Sequence, residues 1–208
     1  MRSIRQVSGG RRTIVKLCNT AVAAFVMILA LHSSATAQPA AITTGSPAMT
    51  RALQPDHVHH LVSPALMARL AELSGHRLRE LVEDVEGPGL VVEVGGLVYG
   101  IVFYQCLRAQ AGAGAGAGAD AGIAGMGCAS LRFETGFELS GGMLPSAANA
   151  WNRDRRFGRV WLDEEGDPRL EMDASIAGGV TTAHLVDLLD WWTLVLDDFR
   201  RHLYAGEG

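Results

Sequence analysis

Residues 157–175 read FGRVWLDEEGDPRLEMDAS. Two runs of strand character, 157–162 and 169–175, flank the acidic turn EEGDP, in which Gly166 can supply a positive φ and Asp167-Pro168 closes the reversal. Burial dictates a register. Pairing Leu162 with Leu170 and Val160 with Met172 puts all four on one face and leaves Trp161 opposite Glu171 and Arg159 opposite Asp173 on the other. A hairpin with one apolar face needs a cover, and helical periodicity stands on both sides of it. Residues 145–156 predict a helix carrying Trp151. After the hairpin Thr181 caps a helix running to about Leu203, whose Leu185, Leu188, Leu189, Trp192, Val195, Leu196 and Phe199 recur at three and four.

Upstream, Ser63-Pro64 marks a helix start, because the hydroxyl caps free N–H groups while proline at the first helical position gives up a donor that had no partner. Leu66, Met67, Leu70, Ala71 and Leu73 form its apolar face, and Gly75 ends it. Runs rich in Val, Ile, Tyr and Phe follow at 78–82, 90–94, 97–107 and 130–139, and their short connections predict an antiparallel sheet. The tract 111–127, AGAGAGAGADAGIAGMG, has no large side chain to pack and is expected to be a disordered loop insertion.

The first 37 residues divide into a basic stretch ending at Lys16, an apolar run from Leu17 to Leu31, and HSSATAQ, where Ala35-Thr36-Ala37 fits a cleavage pattern. A signal peptide over 1–37 is expected, with ordinary secretion favoured over the loosely matching twin-arginine route. An uncleaved anchor is the competing reading, but the run falls short of the roughly 20 apolar residues that span a bilayer. Residues 38–62, with Pro39, Gly45, Pro47 and Pro55 and no apolar period, are expected to form a flexible leader to a domain over 63–204. The whole chain has 208 residues and a formal charge of −4, but no acid lies among the first 37 residues. Their removal leaves 13 arginines against 22 carboxylates, net −9. A nucleic-acid surface is thereby disfavoured.

The block NAWNRDRRFGRVWLDEEGDPRLEMDASIAGGV, residues 149–180, resembles the YbjN-domain family of bacterial sensory transduction regulators. The W-N-R step at Trp151 to Arg153, the R-F at Arg156-Phe157, the L-D-x-x-G-D-P turn, the L-E-M-D strand and Gly178-Gly179-Val180 carry the resemblance. It implies an α+β fold similar to type III secretion chaperones, an antiparallel sheet with packed helices, and a non-enzymatic role in regulation or protein binding. Exported proteins of this look commonly carry a cysteine pair on neighbouring strands, and Cys106 and Cys128 match those positions, although the Ala-Gly tract lengthens the turn between them. Compartment and spacing favour a structural disulfide there, with free buried thiols or a redox pair as the alternatives.

Other clusters are weighed against plainer readings. Asp56, His57, His59 and His60 could ligate a metal and serve a metal-dependent hydrolase, but at the edge of a leader a solvated run is the expectation. Asp163, Glu164, Glu165 and Asp167 lack the spacing of a calcium loop. Arg153, Arg155, Arg156 and Arg159 could grip a carboxylate on a partner, the alternative being pairing within the chain to Glu171, Asp173 or Asp154, which is the expectation for Arg159. Trp161 on the outer sheet face and Trp191 at the edge of the last helix are candidate partner contacts, for a foreign protein or a second copy. No hydrolase, zinc-protease, P-loop or dinucleotide motif is present. No catalytic residue, cofactor or metal is expected. The sequence reads as a periplasmic or secreted protein-binding module with an unidentified protein partner, no nucleic-acid partner and membrane contact only through the signal peptide. A purely structural envelope component is the other alternative.

Overall fold

A computed structural model describes residues 4–7, 47–84, 87–108 and 126–205. Its centre is an antiparallel sheet of six strands, β3 (Arg77–Asp84), β4 (Gly87–Val94), β5 (Leu97–Arg108), β6 (Met126–Leu139), β7 (Arg159–Leu162) and β8 (Pro168–Ser175), in the order β3-β4-β5-β6-β8-β7. A short strand β1 (Ile4–Val7), within the stretch expected to be a signal peptide, pairs with the last four residues of β6. Helices α2 (Pro64–Leu73) and α4 (Thr182–Ala205) and the smaller α3 (Pro145–Asp154) complete the body, so the α+β expectation holds. The Ala-Gly expectation falls on 111–125, outside the described residues, except that Met126 and Gly127 already belong to β6.

One face of the sheet, built from Tyr99, Ile101, Phe103, Leu131, Phe133, Leu170 and Met172, is buried beneath the apolar stripe of α4. Trp192 stacks on Phe133 at 5.6 Å between centroids, and Phe199 meets Phe137 and Trp151 edge-on. Capping follows the sequence. The Ser63 hydroxyl accepts the Leu66 N–H at 3.1 Å, and the Thr181 hydroxyl accepts that of His184 at 3.2 Å. Inside this core Thr193 Oγ1 donates to the Leu189 carbonyl, so it is left to accept from His76 Nε2; His76 Nδ1 then accepts the Tyr99 hydroxyl at 2.6 Å. Burial lowers the His76 pKa, partly opposed by Asp190, and raises that of Tyr99.

Two expectations are corrected. Of the leader expected over 38–62, residues 38–46 lie outside the described residues, and residues 47–62 are not a flexible leader: they carry helix α1 (Pro47–Ala52) and strand β2 (Val58–His59), which pairs with β9 (Val180–Thr181). The carbonyls of His57 and Pro55 accept the N–H groups of Thr182 and Ala183 at 2.9 Å each, satisfying donors that the first turn of α4 would otherwise leave free. No apolar period advertises this segment because its contribution is made by backbone carbonyls. The register of the β7-β8 hairpin is the second. Val160 pairs with Leu170 and Leu162 with Pro168, while Arg159 lies opposite Glu171 and Trp161 opposite Arg169. The turn is tighter by two residues because Asp163 Oδ1 accepts the N–H groups of both Glu165 and Asp167, drawing Pro168 into the strand. A two-residue slip preserves faces, so the aliphatic side chains still point inward.

Candidate functional site

Three side chains of the W-N-R and L-D-x-x-G-D-P patterns turn out to serve the scaffold. β7 is an edge strand, and an edge offers N–H and C=O groups to any passing chain. Here α3 seals it. Asn152 Nδ2 donates to the Val160 carbonyl and its Oδ1 accepts the Val160 N–H, both at 2.8 Å, while Trp151 Nε1 donates to the Gly158 carbonyl at 3.1 Å. Gly158 has no Cβ because one there would run into Val195 Cγ1 of α4. Asp163 also takes a two-point bond from Arg169 at 2.7 and 2.9 Å; burial opposes its ionisation, but Arg169 and the two turn N–H groups hold its pKa below the usual carboxylate value.

The outer sheet face is likewise occupied. Glu171 is only 6% exposed. Its carboxylate accepts from Arg159 at 2.8 Å and from Trp161 Nε1 at 2.8 Å, and Arg132, which also bonds Asp173, stands 3.6 Å away. Arg159 therefore completes an internal cluster, as its expected pairing implied. Trp161 keeps 46% exposure on this face. Arg132 and the Glu171 hub escaped the sequence reading, since nothing local marks which of several arginines crosses two strands.

The other candidates gather on the opposite side, where the α3-β7 connection meets the outside of α4. Arg155 bonds Asp198 at 2.6 Å and lies over the Trp151 ring, whereas Arg153 bonds only its neighbour Asp154. Trp191 is 39% exposed and meets Phe157, 51% exposed, at 4.6 Å between ring centroids. Arg156 lies over the far ring of that pair, 4.9 Å from the Phe157 centroid. Leu194, one turn along α4, is 61% exposed. Phe157 itself has φ 70°, a region costly for a residue with a Cβ, and sits outside β7 rather than opening it. Sequence reasoning placed it in the strand because positive φ at a phenylalanine leaves no compositional trace. The structure thus sets Trp191 against Phe157 and Arg155 against Trp151 and Asp198, and separates both from Arg159 and Trp161 across the sheet.

Cys106 and Cys128 are directly opposed on β5 and β6 and are joined as a disulfide, closing the hairpin below the insertion. The histidine run is not a solvated one throughout. His59 is buried with Nε2 2.8 Å from Thr182 Oγ1, which in turn donates to the Ala52 carbonyl at 2.7 Å; burial, then the charge of His57, lowers its pKa. Among the described residues no three His, Cys, Asp or Glu side chains are grouped as a metal site, and no helix is long and apolar enough to cross a membrane.

Residues 122–205 match the family model YbjN, described as "Putative bacterial sensory transduction regulator". This part of the chain is thus similar to a YbjN domain. No curated protein and no solved structure matches the chain. The match spans β6, α3, β7, β8, β9 and α4, while β3, β4 and β5 extend the same sheet ahead of it. YbjN is a regulatory or binding family and not a known enzyme family, and the metal-dependent hydrolase alternative is not favoured.

Proposed function

We propose that the chain is an exported, non-enzymatic protein-binding module of the YbjN type, acting in the periplasm or outside the cell. Its binding surface is the patch of Phe157, Trp191 and Leu194, flanked by Arg155 and Arg156. The observation that carries this reading is the Phe157–Trp191 pair. An aromatic side chain held at positive φ, half in water and tilted against a second partly exposed ring, costs the fold free energy that nothing in its own core recovers. Aromatic and arginine side chains together are the composition of energetic centres in protein contacts. The outer sheet face is a weaker candidate because its carboxylates and guanidinium groups already satisfy one another.

Two experiments test this. Cells making the complete sequence should yield a processed protein in the periplasmic or extracellular fraction, with Gln38 at its N-terminus; an intact N-terminus in the cytoplasm would refute export. A photo-crosslinking amino acid at Leu194 should capture a defined protein adduct that the same probe at Asp173, on the outer sheet face, does not. Equal or absent capture at both positions would refute the patch.

A further inference from the structure

We infer that the partner of the Phe157–Trp191–Leu194 patch is a second copy of this chain, packed antiparallel along α4. The inference rests on the binding role proposed for that patch and names its occupant. α4 is 24 residues long, which at 1.5 Å per residue is about 36 Å, and Trp191 and Leu194 straddle its centre. Their position matters, because an antiparallel copy centred there overlaps the entire helix.

Charge along the exposed face makes the copy complementary to itself. The N-terminal half presents Asp187 and Asp190, neither of which makes an ion pair among the described residues. Beside the C-terminal half, Arg155, Arg156, Arg200 and Arg201 outnumber Asp197 and Asp198, to which three of the four are bonded. Among the described residues the Arg156 guanidinium has only the face of Phe157. Reversing the helix therefore sets an acidic end on a basic one at both extremes of the contact, with the aromatic pair and Leu194 of each copy in the middle. Residue 187 is as far from the helix centre as residue 200, so Asp187 of one copy faces the Arg200–Arg201 end of the other. A two-fold contact satisfies both ends with the same pair of residues used twice.

Sedimentation equilibrium of the protein purified from cells expressing the complete sequence, over micromolar to hundreds of micromolar, should show a reversible monomer–dimer equilibrium. Leu194→Glu should abolish it. Asp187→Arg and Arg201→Asp should each weaken association about tenfold or more, since each sets like charges against one another. The two changes combined in one chain should restore it. All three positions of change are exposed, and unaltered thermal melting of each variant confirms that the fold is kept. A monomer at every concentration, or a double variant as weak as the single ones, overturns the inference. If the crosslinker at Leu194 still captures a different protein from a monomeric chain, the self-association is refuted while the binding patch stands.

Discussion

Asn152 shows how much depends on single polar side chains here. Its amide satisfies both backbone groups that Val160 turns outward, and among the described residues no other side chain bonds either of them. Asn152→Ala should cost about 1–3 kcal/mol in urea denaturation, the cost of leaving partly buried backbone groups unpaired. It should also raise the tendency to aggregate, because the edge of β7 is then open. Two histidines set the response to acid. The pKa values of His76 and His59 are lowered in the folded chain, chiefly by burial, so the unfolded chain binds protons more readily. Their contribution is fully present above the unfolded value of about 6.5 and is lost as pH falls below it toward the folded values. Thermal midpoints should therefore drop as pH falls below roughly 6.5, and His76→Gln should flatten that slope. A slope unchanged by the substitution would assign the acid sensitivity elsewhere. None of these pairings was legible in the sequence, since Asn152 and Val160 are joined by a turn that no pattern predicts, and His76 meets Tyr99 and Thr193 only in three dimensions.

Elements were far more readable than contacts. The apolar stripes of α2 and α4, the caps at Ser63 and Thr181, and the alternation in β6 and β8 all emerge from periodicity, because each element reports its own buried face. Pairing partners are another matter. The β7-β8 register slipped by two because the turn length depended on Asp163 collecting two N–H groups, and α1 and β2 were invisible because backbone carbonyls do their work. The Cys106–Cys128 disulfide joins the paired strands of the β5-β6 hairpin. With a sequence separation of 22 between the cysteines, loop entropy predicts a loss of about 3 kcal/mol on reduction or in the Cys106→Ser/Cys128→Ser variant. Urea unfolding with and without reductant measures it. A midpoint unmoved by reductant would show the paired strands closing the loop unaided.

At the scale of the whole molecule, the domain begins earlier than composition suggests. A chain starting at Ser63 lacks β2, the carbonyls that cap α4 and the Val62 backbone pair with Cys128, whose two bonds are both 2.9 Å. It should melt several degrees below one starting at Pro47, in line with about 1–2 kcal/mol for lost capping and pairing in a domain of this size. Equal melting temperatures would reduce α1 and β2 to passengers. The same scale governs function. The sheet divides the candidate arginines and tryptophans: Arg159 and Trp161 both bond Glu171 on the outer face, whereas on the α4 side Trp191 meets a second partly exposed ring, Phe157.

From its letters this protein could be known as an antiparallel α+β domain of YbjN character with a cysteine pair at the base of an insertion, because periodicity and motif spacing are local properties of the chain. Which arginines are already paired, which edge is sealed, and that Phe157 stands out of its strand against Trp191 were decided by the tertiary structure alone. Those outcomes depend on groups from separate elements meeting within a hydrogen bond's length, and no local pattern encodes that distance.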